Sequence, residues 1–115
     1  MYPNIIKEHF IKPRNVGILE NPTSIGEAIT NGGGKAVFYF LIENGVVSKI
    51  KYKVAGCPYA IAVCSILSVY ASGRTVKELK NLKMDSIKSL SSIPKDKLKC
   101  VELAFSAFKN GLIAG

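Results

Sequence analysis

Ala36 to Ile42 is dense in aromatic and β-branched residues, Glu43-Asn44-Gly45 follows, and Val46 to Ala55 returns. Asn-Gly between two such runs is a strong local hairpin signal, because both residues tolerate the positive φ of a tight primed turn. On the return strand Ser48, Ile50, Tyr52 and Val54 alternate with Lys49, Lys51 and Lys53. One face is therefore apolar and the other carries a lysine stripe, so the sheet is expected to be covered on one side only. The strand runs into Val54-Ala55-Gly56-Cys57-Pro58-Tyr59-Ala60-Ile61-Ala62. Pro58 suits the first position of a helix, where its missing N–H would have no partner in any case. Cys57 then falls at or beside the N-cap, where unpaired N–H groups and the helix dipole favour a thiolate. A small buried residue that happens to fit the junction is the alternative reading of Cys57.

The rest of the chain supplies the cover. Ile5, Ile6, Phe10 and Ile11 have helical spacing within Asn4–Ile11, and Pro13 ends that helix. A first strand is expected over Ile25 to Thr30, before the nearly side-chain-free loop Asn31-Gly32-Gly33-Gly34-Lys35. Pro58 to about Ser72 reads as a helix stopped by Gly73, and Thr75-Val76-Lys77-Glu78 as a capping box opening a short one. Asp85 to Leu90 is a further short helix candidate. After Ile93-Pro94, Leu98, Val101, Phe105, Phe108 and Leu112 mark a last helix that frays at Asn110-Gly111. The expected fold class is α+β: a three-stranded antiparallel sheet with helices packed on one face.

At 115 residues with 48% apolar content, residues 1–115 read as a single folded domain. No apolar run reaches the roughly 18 residues of a membrane span. The three cysteines are an odd, widely spaced set with no export signal ahead of them, which points to free thiols in a cytoplasmic protein. A net charge of +8 permits an anionic partner, but the lysines are dispersed and no recognition-helix or aromatic RNA-binding signature accompanies them, so nucleic acid is disfavoured.

Cys57 and Cys100 are the pair that can carry chemistry. Both are placed near helix N-termini and so can converge on one metal or one sulfur species. Cys64 lies seven residues beyond Cys57 on the same helix, about 10 Å along its axis. Ligand sulfurs on one zinc must lie within roughly 4 Å of each other, so Cys64 reads as a small buried hydrophobe. His9, the only histidine, sits on the exposed or half-exposed part of its helix and reads as structural. Gly32-Gly33-Gly34-Lys35 leads into Ala36 and a strand rather than a helix, unlike a phosphate-binding loop. No Ser/His/Asp set or acid–base carboxylate pair can be assembled, so classical hydrolysis finds no support.

Several segments, in order, resemble the IscU/NifU-type iron–sulfur cluster assembly scaffolds. They are Tyr2, Glu8-His9-Phe10, Pro13-Arg14-Asn15-Val16-Gly17, Gly26-Glu27, Glu43-Asn44-Gly45, Lys53-Val54-Ala55-Gly56-Cys57, Ala60-Ile61-Ala62, Gly73-Arg74-Thr75-Val76-Lys77-Glu78 and Lys97-Leu98-Lys99-Cys100. The resemblance spans nearly the whole chain and implies the family sandwich of sheet and helices. It also implies a transient [2Fe–2S] cluster, or zinc, held by three cysteines plus Asp or His, with sulfur delivered by a cysteine desulfurase. By position Cys57 matches the family's second cysteine and Cys100 its third. Gly33 stands where the first cysteine belongs, Lys35 where the Asp belongs, and Lys99 where a His precedes the last cysteine. The chaperone-recognition segment reads Ile93-Pro94-Lys95-Asp96-Lys97 and keeps only Pro94 and Lys97, which weakens the expectation of chaperone recognition.

Two thiolates do not complete a four-ligand zinc or [2Fe–2S] site, and Lys35 and Lys99 beside them would repel a cation. The resemblance thus implies a divergent scaffold-like protein that binds iron, iron–sulfur or zinc weakly or with a partner. Two alternatives stand beside it: a non-metal interaction protein docking on the desulfurase, and a persulfide sulfur carrier.

Overall fold

In the computed structural model, residues 4–87 and 93–114 are described. The chain runs α1 (Asn4–Ile11), β1 (Ser24–Ile29), β2 (Lys35–Glu43), β3 (Val46–Ala55), α2 (Pro58–Ala71), α3 (Val76–Lys80) and α4 (Leu98–Ala114), with 3₁₀ turns at Met84–Ser86 and Lys95–Lys97. Tyr2 of the opening signature lies outside the described residues. So do residues 88–90 of the helix expected from Asp85, whose described part is only the 3₁₀ turn.

The three strands form one antiparallel sheet in the order β1-β2-β3. Asn44 and Gly45 turn the hairpin with φ of 53° and 75°, as the Asn-Gly pair predicts. Ala36, Phe38 and Phe40 of β2 and Val47, Ile50 and Tyr52 of β3 point to the helices and are buried. Phe108 of α4 packs edge-on against Phe38 at 5.4 Å and lies 5.7 Å from Phe40. Burying side chains of this size stabilises the fold by about 1.5–3 kcal/mol each. The opposite face carries exposed Lys35, Lys49 and Lys53 beside Ile25 and Ile29, the one-sided cover expected from the lysine stripe.

One strand position departs from simple alternation. The register passes from Leu41 opposite Lys49 to Ile42 opposite Val47, so Ser48 is the extra residue of a bulge. Ser48 therefore leaves the apolar face and turns outward, where its hydroxyl donates to the Leu41 carbonyl (3.1 Å) and the Glu43 carboxylate (2.9 Å). The outer edge of β3 is also covered. Asn15 to Gly17 pairs with Tyr52, and the segment from Gly73 to Val76 pairs with Val47 and Gly45. Such cover removes an open edge that would otherwise template pairing with another chain.

Thr75 caps α3, accepting from the Glu78 N–H at 3.1 Å. The Glu78 carboxylate turns to Arg74 (2.7 Å), and that guanidinium stacks over Tyr70. The last helix does not fray at Asn110-Gly111 but continues through Ala114. Gly111 is where α4 lies directly on β1. A Cβ at Gly111 would overlap the Phe40 ring, and one at Gly26 would overlap the Ala107 carbonyl and the Gly111 amide. Glycine here permits close approach rather than ending a helix. Asn110 and Ser24 then tie the two elements with bonds of 2.9 and 2.8 Å.

Candidate functional site: two cysteines at adjoining helix starts

Cys57 is the N-cap of α2, with extended backbone (φ −74°, ψ 162°) and Pro58 opening the helix. Its carbonyl accepts from the Ala60 N–H at 3.0 Å, but its side chain makes no cap bond, which leaves the sulfur available. Cys100 lies in the first turn of α4. Both are half-buried, and the structure joins them as a disulfide with a Cα–Cα distance of 6.6 Å across 43 residues of sequence. This corrects the expectation of three free thiols. The sequence spacing argued against a disulfide framework, but tertiary packing sets two helix N-termini side by side.

Cys64 is the remaining thiol and is fully buried among the core side chains. Burial pushes its thiol well above the ordinary cysteine range, so it stays protonated. A cavity of about 680 Å³ opens beside the pair. The end of β1 and the following loop line one wall through Thr30, Asn31, Gly32 and Gly34. Gly56, Cys57 and Ala60 line the second, and Lys99, Cys100, Glu102, Leu103 and Ser106 the third. The glycine loop, the Cys57 junction and the start of α4 therefore meet at one end of the sandwich.

Thr30 organises the loop. Its N–H donates to the Gly34 carbonyl (2.8 Å), and its Oγ1 accepts from the Gly34 N–H (3.0 Å). Gly33 sits at the tip with φ 89° and open space where a Cβ would point. The three positions that the resemblance matches to family ligands, Gly33, Lys35 and Lys99, do not behave alike. Gly33 presents nothing to the cavity. Lys35 is half-exposed and pairs with Glu27 at 3.2 Å on the open face of the sheet, away from the cavity wall. Only Lys99 lines the cavity, so the expected pair of repelling lysines reduces to one.

Sequence reasoning missed Glu102 and Ser106. The signal was present: Lys99, Glu102, Leu103 and Ser106 follow the i, i+3, i+4, i+7 pattern of a single helix face. Among the described residues no group of three or more His, Cys, Asp and Glu is placed to hold a metal ion.

His9 is not part of this site. It is buried rather than exposed, with Nδ1 2.7 Å from the Ser65 hydroxyl on α2. Burial, reinforced by the Arg14 charge, holds its pKa below the usual histidine value. Ser65 Oγ also accepts from the Arg14 N–H (2.9 Å), and Asn15 Nδ2 donates to Ser68 Oγ (2.9 Å). Arg14 also forms an exposed ion pair with Glu8, which holds that carboxyl below its ordinary range. The opening signature thus works as the joint between α1 and α2.

A small sheet with helices on one face and two cysteines at adjoining helix N-termini defines a compact α+β domain with a two-cysteine site. Residues 1–114 match the family model described as NifU-like N terminal domain, and the chain belongs to that family. It is 30% identical over 116 aligned positions to the iron–sulfur cluster assembly scaffold protein IscU 1 of Archaeoglobus fulgidus, covering 98% of this chain and 75% of that one. It is 34% identical over 115 positions to the iron–sulfur cluster assembly protein IscU of Plasmodium falciparum, covering 96% and 71%. The NifU-like N-terminal protein structure from Brucella abortus superposes with a TM-score of 0.80 at 19% identity, covering 98% of this chain and 92% of that one. The α+β sheet-and-helix fold is the family's, and the role it fits is that of a scaffold rather than an enzyme. Among the described residues no helix is long and apolar enough to cross a membrane.

Proposed function

We propose that this chain acts in iron–sulfur cluster assembly as a divergent scaffold of one domain, residues 1–115, whose own contribution to the site is two thiolates, Cys57 and Cys100. The observation that carries this reading is their convergence beside one cavity; the sequence resemblance, which matches them to the family's second and third cysteines, supports it. Gly33 at the first position leaves half of a four-ligand site to be supplied from elsewhere. Iron, a [2Fe–2S] cluster or zinc is then cargo held weakly by this chain alone, and held properly only with ligands from a partner or a second copy. The sulfur donor in this reading is a cysteine desulfurase. The working state is the reduced one, so the protein belongs in a compartment that returns the Cys57–Cys100 bond to two thiols, as the cytoplasm does.

The test is an anaerobic iron titration of the reduced protein, followed by addition of sulfide, with absorption spectra and iron analysis. Uptake at about one iron or one cluster per two chains is expected, lost in Cys57→Ser and in Cys100→Ser and retained in Cys64→Ala. If the reduced protein takes up no iron, alone or with a cysteine desulfurase present, the metal reading falls and a docking protein without metal replaces it.

A further inference from the structure

We propose that Cys57 and Cys100 act as a dithiol that reductively releases sulfur, taking the outer sulfur of a protein or small-molecule persulfide and setting it free as hydrosulfide. The inference rests on the reading that these two cysteines are the working groups of the site, and it assigns them a reaction that needs no further ligand. A metal site made by this chain is two donors short, whereas persulfide reduction requires two thiols and nothing more. The disulfide shows that the two sulfurs can reach each other within this fold.

The steps balance as follows. The Cys57 thiolate attacks the outer sulfur of the donor persulfide, R–S–SH. A new sulfur–sulfur bond forms on Cys57, the donor's own sulfur–sulfur bond breaks, and the donor leaves as R–S⁻. The Cys100 thiolate then attacks Cys57 Sγ. The Cys57–Cys100 bond forms and the bond to the outer sulfur breaks, carrying an electron pair with it to give HS⁻. The transferred sulfur is reduced by two electrons, and the two thiols are oxidised to the disulfide. A dithiol reductant resets the pair by thiol–disulfide exchange.

The surroundings fit these two roles. Cys57 has no side-chain cap bond and lies on the cavity wall next to Gly56, with Gly32 and Gly34 of the glycine loop lining the same cavity. Cys100 carries Lys99 beside it on the cavity wall, a cation that favours its thiolate and attracts the departing anion. Cys64 is sealed in the core and takes no part. The second step is intramolecular, so its rate does not depend on added thiol.

The experiment is a single turnover of the reduced full-length protein with one equivalent of glutathione persulfide, without oxygen or added thiol. Hydrosulfide is measured by colour formation and the protein by intact mass. Wild type and Cys64→Ala are expected to release hydrosulfide and lose two hydrogens as the disulfide forms. Cys100→Ser is expected to gain and keep one sulfur atom on Cys57, releasing at least about tenfold less hydrosulfide because the intramolecular attack is gone. Cys57→Ser is expected to do neither. Equal release from Cys100→Ser and wild type overturns the proposal, as does a wild type that stops at the persulfide. The iron titration of the same preparations separates the two readings. Iron uptake without hydrosulfide release defeats this inference and leaves the scaffold reading standing; release without iron uptake defeats the metal reading alone.

Discussion

The joint between α1 and α2 and the cysteine cavity share one helix, yet they are built on opposite terms. At the joint, Ser65 and Ser68 are fully buried and hydrogen-bonded to three residues of the opening segment: His9, Arg14 and Asn15. By contrast, the three residues that the resemblance matches to departed ligands bear almost no packing. Gly33 faces open space, Lys35 pairs with Glu27 on the surface, and Lys99 is exposed. Changes at the joint leave buried polar groups without partners, which costs about 1–3 kcal/mol each. Changes at Gly33, Lys35 or Lys99 remove nothing the core depends on. The frame and these three positions are therefore energetically separable.

The largest effect is expected where the frame is tightest. Gly26→Val puts a side chain into the Ala107 carbonyl and the Gly111 amide, and α4 must lift from β1. Overpacking of this kind costs about 3 kcal/mol or more, read as a lowered midpoint in urea. A variant as stable as wild type would remove the close-approach account of Gly26 and Gly111.

Ser65→Ala comes next. It strips a buried partner from both His9 and the Arg14 N–H, and a loss of about 2 kcal/mol is expected. The same joint is acid-sensitive. His9 is held neutral by burial, so its folded pKa lies below the ordinary value of 6.5. The unfolded chain then binds the proton more readily than the folded one. Stability is full above pH 6.5 and is lost as pH falls below it towards the folded pKa. Denaturation midpoints measured from pH 7.5 to 5.5 should fall in wild type and fall less in His9→Gln. Equal slopes would place the acid sensitivity elsewhere.

How much of this was legible in the sequence follows from how local each signal is. The hairpin, the Pro58 helix start and the Thr75 cap are set by neighbours a few residues away, and they appear where the sequence puts them. Ser48 was assigned to the apolar face wrongly, because a one-residue bulge inverts which side a residue faces and leaves no mark in an alternating pattern. Gly111 was misread because a glycine that breaks a helix and one that admits a strand look the same until the strand is in view. The pairing of Cys57 with Cys100 depends on where α2 and α4 begin relative to each other. Two candidates for one site could be named from the sequence, but not the bond between them. Lys35 sat at a ligand position in sequence, yet strand alternation turns it to the opposite face.

If the frame really is independent of the ligand set, ligands can be put back. Gly33→Cys with Lys35→Asp and Lys99→His should raise zinc affinity well above that of the reduced wild type. The gain should grow as pH rises through the thiol range, since each thiolate must first lose its proton. The cost is conformational. Gly33 has φ 89°, so a cysteine there has room but sits in a region that L-residues avoid, at about 1–2 kcal/mol. A folded variant, checked by circular dichroism, that gains no zinc affinity would show that the cavity has changed beyond its ligands.

The smallest effect gives the sharpest comparison, because it separates two lysines that the sequence treats alike. Lys99 lines the cavity beside Cys100, whereas Lys35 is engaged with Glu27 across the sheet. Neither is buried, so Lys99→Met and Lys35→Met should each leave stability within about 0.5 kcal/mol of wild type. Their effects on thiol chemistry should differ. Removing the Lys99 charge weakens the thiolate form of the reduced pair and should slow alkylation by iodoacetamide roughly two- to threefold near neutral pH at low salt. Raising the ionic strength to about 1 M shortens the screening length to about 3 Å and should erase most of that difference. Lys35→Met should react like wild type at both salt concentrations. If Lys35→Met slows alkylation as much as Lys99→Met does, the positive field at the cavity comes from the whole lysine-rich surface, and the assignment of Lys99 as the cavity-side cation among the described residues fails.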